Sequence, residues 1–335
     1  MIRFEDSPRM GLISNPVNFI GFIKNMMGFF KNHTYPIGVD MGDDALTLVQ
    51  MANGAGNVHL HACLNVKRPD SIKPGSPAWQ QWAIEMITKS VSYGRFRGRN
   101  VVAAMPPREV FIDTIRMPRA PQAELQNTIL NSLKPKLGVD PNDILMDYIK
   151  TNSENILVMA TDKTKLYKHL AIYEKARLKV VSISIWPLAV LNAYTRLWAK
   201  RMNQDDNPVM LLDIAKSYTN IIICDSANLY FAHSASVGIQ NLEIDRMIDL
   251  LNSEMEMCRI RFRSIYQKPP ISHIIFVSGH AVNTEIYTKI AKRAQMSAQI
   301  GDCFETVGAV RSDQAGSENR TSHANWMTAM GLSLS

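Results

Sequence analysis

Two segments of this chain repeat one pattern, and that pattern limits the folds open to it. They are Ile37-Gly38-Val39-Asp40-Met41-Gly42-Asp43-Asp44-Ala45-Leu46-Thr47-Leu48-Val49 and Met210-Leu211-Leu212-Asp213-Ile214-Ala215-Lys216-Ser217-Tyr218-Thr219-Asn220-Ile221-Ile222. Each reads as an apolar strand ending in an aspartate, a short turn of small or polar residues, and a second apolar strand. Such a unit is a β-hairpin whose turn can face a phosphate. Two of them in 335 residues predict a duplicated fold with a cleft between the halves, a length that suits about two domains.

The punctuation between the hairpins is of α/β type. A third strand is expected at Val58–Val66, a helix from Ala78 with Trp79, Trp82, Ile84, Met86, Ile87 and Val91 at core spacing, and a short buried strand at Asn100–Met105. Residues 110–183 read as an insert with the order β-α-β-β-α-β, a small sheet with helices on one face. Gly138 falls where a helix C-cap belongs and Asp162 where an N-cap belongs. A connecting helix from Pro187 to Arg201 closes the first half. The polar run Asn203-Gln204-Asp205-Asp206-Asn207-Pro208 then marks the domain boundary.

The second half repeats the hairpin, followed by a strand at Leu229–His233. A long helix from Leu242 to Tyr266 carries Ile244, Ile248, Leu251, Met255, Cys258 and Phe262 on its apolar face. A buried strand from Ile271 runs into Ser278-Gly279-His280. The expected domains are therefore an arm over 1–34, a first domain over 35–109 and 184–207, the insert over 110–183, and a second domain over 208–335.

The formal net charge of +7 raises the question of an anionic partner. The tightest basic runs, Arg95-Phe96-Arg97-Gly98-Arg99 and Arg259-Ile260-Arg261-Phe262-Arg263, adjoin no nucleic-acid-binding motif and read as solvated charge at element ends, so no nucleic-acid partner is expected. Cys63, Cys224, Cys258 and Cys303 stand far apart with no metal-ligand spacing and read as reduced thiols of a cytoplasmic protein. His59 and His61 share a strand face without a third ligand. No metal site is expected.

Residues 17–31 are amphipathic. Asn18 and Asn25, with Asn32 one heptad further, lie opposite a broad apolar face, with Lys24 and Lys31 beside them. The run is too short to span a bilayer and carries Lys24 in its middle. Two readings stand: an in-plane contact with a membrane surface, or an arm packed on its own domain or a partner.

The hairpin Ile37–Gln50, the strand Val101–Met105 followed by Ile115-Arg116-Met117-Pro118, the hairpin Leu211–Thr219, the segment Phe276–His280 and the last helix Ala324–Leu334 fall in the order of the actin-like superfamily. More closely, residues 35–335 resemble the PilM family of type IV pilus assembly proteins, through Arg116-Met117-Pro118 and Pro187-Leu188-Ala189 in particular. The resemblance implies an α/β, actin-like (ribonuclease H-like, duplicated) fold with the inserted subdomain shared by PilM and the cell-division protein FtsA. It also implies a cytoplasmic location at the inner membrane, among other pilus assembly proteins. The implied partner is a PilN-like single-span inner-membrane protein, whose N-terminal peptide lies in a groove between the first subdomain and the insert. Ile115, Arg116, Met117, Pro118, Ile183 and Trp186 are the residues near that junction.

The family also implies ATP with magnesium, held by residues at the positions of Asp40, Gly42, Asp213, Thr219 and Gly279. The sequence departs from the pattern. Asp43 and Asp44 stand where hydroxyl donors are usual, Ala215 replaces a glycine, and Ser278-Gly279-His280 replaces three glycines. Adding carboxylates beside a phosphate opposes its binding. Between Gly238 and Ile274 little more than one helix fits, which predicts a reduced fourth subdomain. The leading expectation is a non-enzymatic adaptor with a degenerate nucleotide site and no catalytic residues. An ATP-binding switch or slow ATPase comes second, and a sugar or metabolite kinase third, since no general base is found.

Overall fold

The computed structural model of the chain describes residues 2–3, 33–54, 57–119, 121, 124–151, 154–199, 207–240, 242–278, 282–302, 307 and 326–335. Along the chain, β1 (Ile2–Arg3) precedes the hairpin β2 (His33–Met41) and β3 (Ala45–Gly54), then β4 (Asn57–Lys67), helix α1 (Pro77–Tyr93) and β5 (Asn100–Met105). Next come β6 (Phe111–Arg116), α2 (Leu125–Leu137), β7 (Ile144–Lys150), β8 (Asn155–Asp162), α3 (Lys163–Lys175), β9 (Lys179–Ile185) and α4 (Trp186–Ala193). The second half holds β10 (Val209–Ile214), β11 (Thr219–Cys224), β12 (Leu229–Ala235), α5 (Ile244–Ile265), β13 (His273–Phe276), α6 (Thr284–Ala294), β14 (Ser297–Ile300) and α7 (Met327–Ser333).

Sheet order shows the duplication. The first sheet runs β1-β9-β5-β2-β3-β4 and the second β12-β11-β10-β13-β14. In each, three consecutive strands form an antiparallel meander, and two later strands add in parallel beside the first of them. Parallel strands require crossover connections, and α1 and α5 supply them on the way to β5 and β13. Among the described residues between β12 and β13, α5 is the one helix and no strand occurs.

The small sheet, β6-β8-β7, is narrower than the element order suggested. Only β6, α2, β7 and β8 belong to it, with Leu125, Ile129 and Leu133 of α2 packed on Ile156 and Val158. The expected final helix and strand of the insert, α3 and β9, return to the first domain. β9 pairs with β5, and Leu166, Ile172 and Tyr173 of α3 join Trp79, Trp82 and Ile87 of α1 in one core. The reason is the apolar inward face of β9, which has a long partner in β5 and none in the three-stranded sheet.

The last helix also changes sides. Although α7 follows the second sheet in sequence, it packs on β2 and α4 of the first half. Gly38 and Gly331 permit this: a Cβ at Gly38 would meet the Ala329 carbonyl, and one at Gly331 the Ala189 carbonyl. Ser333 Oγ donates to the Pro36 carbonyl at 2.8 Å and accepts from the Met51 amide at 2.9 Å, pinning the helix to both strands of the hairpin. The connecting helix is shorter than expected, because after Ala193 the backbone widens to a π-type turn over Tyr194–Trp198 that sets Tyr194, Leu197 and Trp198 inward.

On α5, Ile248, Leu251, Met255, Cys258 and Phe262 are buried as the spacing predicts, whereas Ile244 is exposed at the helix start. Tyr230, Phe262 and Tyr266 stack edge-on or tilted with centroids 5.1–5.6 Å apart. Cys63, Cys224 and Cys258 are free thiols; Cys303 and residues 17–31 lie outside the described residues.

Candidate functional site

Because β2 and β10 are the central strands of their halves, each hairpin delivers its aspartate to the same cleft, at the carboxyl end of its first strand. Burial, and then the charge of Asp213, push the Asp40 carboxyl up to about 7. Two carboxyl groups therefore face each other across the cleft. Asp213 is buried and accepts a hydrogen bond from Asn220 Nδ2 at 3.1 Å.

The turn residues answer the negative charge from within the chain. Arg108, just past β5, pairs with Asp43, and Lys216 of the second hairpin reaches Asp44 of the first at 3.8 Å. Between them sits Tyr218. Burial first, then the carboxylates of Asp213, Asp40 and Asp44, push its phenol well above its ordinary range. Four carboxyl groups thus meet two cations before any ligand enters.

The backbone of the second turn is likewise engaged. The Ala215 amide donates to the Tyr218 carbonyl at 2.9 Å, and the Ala215 and Lys216 carbonyls accept from the Ile239 and Gln240 amides at 3.1 and 2.8 Å. Thr219, expected at a cofactor, is fully buried and donates its hydroxyl to the Val237 carbonyl at 2.7 Å. Ser278 Oγ accepts from the Ile214 amide at 2.7 Å and ties the end of β13 to β10. Gly42 lies half-buried in the first turn, and Gly279 lies outside the described residues. Among the described residues, no group of three or more His, Cys, Asp or Glu side chains is placed to hold a metal ion. Nucleotide phosphates fit this donor set poorly, since the Ala215 amide and the Thr219 hydroxyl are already used and its carboxylates outnumber its cations.

Beside the cleft lies a cavity of about 490 Å³, lined by Asp43, Arg108, Phe111, Trp186, Tyr218 and His233 among others. It stands where the first domain, the insert and the second half meet. β6 and β12, each the edge strand of its own sheet, contribute Phe111 and Ile112 on one side and Ala232–Ser234 on the other. The indole N–H of Trp186, a side chain only 2% exposed, has no hydrogen-bond partner. Arg261 of α5 spans from the second half to the insert, pairing with Asp113 and donating to the Thr114 carbonyl at 3.2 Å.

The six expected partner-binding residues are not gathered at one surface. Trp186 alone lines the cavity. Ile183 is buried in the first-domain core, and Ile115 and Met117 pack against the α2 core. Arg116 is exposed and meets Glu154 at 3.4 Å, with Pro118 half-buried nearby. Arg108, Lys216 and Tyr218 were not singled out by spacing. A lysine and a tyrosine inside an aspartate-to-threonine turn, and an arginine after a proline pair, mark them in sequence only as polar loop positions.

The repeated strand order, the paired aspartate hairpins and the cleft between them define an actin-like fold with a small inserted sheet. No helix among the described residues is long and apolar enough to cross a membrane. The family described as Type IV pilus assembly protein PilM matches residues 38–263, and the chain belongs to it. It is an actin-like pilus assembly protein.

Among solved structures, one described as a PilM-PilN type IV pilus biogenesis complex is 17% identical. The likeness covers 90% of this chain and 98% of the other with a TM-score of 0.71, which shows a shared fold. The cytoplasmic domain of EpsL from the type II secretion system of Vibrio cholerae is similar at 10% identity over 73% of this chain and 82% of that one, TM-score 0.47. The ethanolamine utilization protein EutJ of Carboxydothermus hydrogenoformans is similar at 12% over 90% and 89%, also TM-score 0.47. No curated protein matches the chain by sequence.

Proposed function

We propose that this chain is a non-catalytic adaptor at the cytoplasmic face of the inner membrane, binding the N-terminal cytoplasmic peptide of a PilN-like single-span protein. The observation that carries this reading is the cavity between two sheet edges. A strand edge offers backbone hydrogen bonds to an extended peptide, while Phe111, Ile112 and the unpartnered Trp186 indole offer side-chain pockets and a donor. The solved relative described as a PilM-PilN complex supports the same kind of partner.

The ion pairs of Asp43 with Arg108 and Asp44 with Lys216 support the second part of the reading, a nucleotide site that has become a self-neutralised contact between the halves. A second reading, an ATP-binding switch, has one observation in its favour: Asp40 and Asp213 form a facing carboxyl pair of the kind that holds magnesium through water.

The test is capture of the tagged full chain from gently solubilised native cells, then titration of the recovered partner's N-terminal peptide against it. Recovery of a single-span membrane protein whose peptide binds saturably supports the adaptor, and recovery of no such protein overturns it. Stabilisation by millimolar Mg-ATP beyond about two degrees would sink the degenerate-site part and favour the switch.

A further inference from the structure

The basic residues that look scattered in sequence converge at one end of the first sheet. β2, β5 and β9 run parallel, so their first residues, at His33, Asn100 and Lys179, share the end opposite the cleft. The loop from α1 into β5 brings Arg95, Arg97 and Arg99 there, and the turn from α3 into β9 adds Arg177. All four are exposed, and so is the aromatic ring of Tyr93, at 90%. Among the described residues none of these arginines forms an ion pair. The loop residues that form this end, 94–100 and 175–179, contain no aspartate or glutamate, and Glu174 near the end of α3 is the nearest acid to Arg177 in sequence. An excess of charge of one sign over such a surface is a field for an anionic partner.

The loop is held in place by its backbone. Gln50, buried on β3, accepts from the Arg97 amide and donates to the Arg97 carbonyl, both at 2.7 Å, and donates also to the Tyr35 carbonyl at 2.9 Å. The Lys179 amide donates to the Arg99 carbonyl at 2.9 Å, and Arg99 donates to the Arg177 carbonyl at 3.5 Å. Gly98 takes a φ of +75°, which a glycine adopts without strain. Apart from that Arg99 contact, the arginine side chains are left to solvent. His61 lies against this loop, and its pKa is lowered, by burial first and then by the charge of Arg97.

The chain's own course adds the second observation. β1 pairs antiparallel with β9 and so runs toward this end, while β2 starts from it. The described chain therefore breaks off at Arg3 heading toward the arginine-bearing end and resumes there at His33, and the sequence between them includes the acid-free run 17–31 with Lys24 and Lys31. Exposed arginines beside two chain ends, with a sequence between those ends that alternates an apolar set with lysines, match the chemistry of an anionic bilayer, apolar chains below phosphate headgroups, better than that of a nucleic acid.

We propose that the end of the first sheet bearing Tyr93, Arg95, Arg97, Arg99 and Arg177 docks on an anionic lipid surface, with the cleft facing away from the bilayer. Vesicles contain no partner protein, so the test is independent of the peptide reading. The full chain is sedimented with phosphatidylcholine vesicles, with and without phosphatidylglycerol. Binding is expected only with phosphatidylglycerol, and it should weaken as salt rises.

Each basic side chain at such a surface contributes on the order of a fivefold gain, so Arg95→Gln with Arg97→Gln and Arg99→Gln lowers partitioning about a hundredfold. Arg95→Gln alone lowers it about fivefold, which keeps the test open should the triple variant not fold. Three results would each overturn the proposal: equal binding to pure phosphatidylcholine, wild-type binding by the variants, or binding of a mixed-sequence RNA oligomer without any binding of vesicles.

Discussion

Replacing Asp40 by asparagine tests the electrostatics of the cleft, because it keeps the side chain's shape and removes one of two facing carboxyl groups. The Asp40 pKa rises from 3.8 to about 7 through burial and the neighbouring Asp213. A rise of about three units, at ~1.4 kcal/mol each, sets a ceiling of ~4 kcal/mol. Asp40 is half-buried rather than sealed, and solvent screening lowers this to ~2 kcal/mol. The folded state favours the neutral carboxyl, so its stabilising contribution is complete below 3.8 and is lost as pH rises through about 7.

Asp40→Asn should therefore melt with wild type near pH 4 and above it near pH 8, the gap opening between those values. With ~2.1 cal/mol/K of unfolding entropy per residue over 335 residues, ~2 kcal/mol corresponds to about 3 °C. Thermal unfolding followed by circular dichroism across pH reads this directly. Asp213→Asn should also narrow the gap, because it removes the second cause of the raised pKa. A pH-independent shift, or none, would refute the account. If millimolar magnesium closes the gap at the higher pH by stabilising wild type alone, the facing pair binds a cation.

Two further perturbations probe how the halves are joined. Gly331→Ala places a methyl group against the Ala189 backbone and should cost about 3 kcal/mol in urea unfolding; a wild-type midpoint would disprove the close approach of α7 to α4. Arg261→Met removes the clamp on Asp113 and the Thr114 carbonyl but leaves Lys136 at Asp113, at 2.7 Å. Global stability should change by less than ~1 kcal/mol. Amide exchange in β6 should rise relative to β8, and unchanged exchange there would show that the insert is held by other contacts.

The strands and helices were legible because their periodicity is strong. Both hairpins, α1 and α5 follow from residue spacing, and five of the six strands of the first sheet and four of the five of the second could be placed as strands before any pairing was known. What periodicity does not carry is which sheet a strand joins. β9 read as the end of the insert because it follows α3, yet its pairing with β5 is a contact between residues nearly 80 positions apart (179 against 100). The seat of α7 depends on two glycines in different elements, a relation invisible in either alone. At the site, Asp40 and Asp213 were readable as a pair from the repeated pattern. Arg108 and Lys216 were not, since an ion pair across a cleft leaves no local signature.

The substitution that decides what the cleft has become is Asp43→Ser combined with Asp44→Ser. Both carboxylates sit on the first turn, each with a cation already at hand. Removing them frees Arg108 and Lys216 and restores hydroxyl donors, so the local charge changes by two units toward what a phosphate requires. If those carboxylates are what exclude nucleotide, the double variant should gain thermal stabilisation from millimolar Mg-ATP that wild type lacks. If it gains none, electrostatics is not the barrier. The engaged Ala215 amide, the buried Thr219 hydroxyl and the Tyr218 ring would then be the obstacle, because none of them changes when the aspartates are replaced. A Tyr218→Ala variant made on the same background separates these, since it opens the space between the turns and leaves both hydrogen bonds in place.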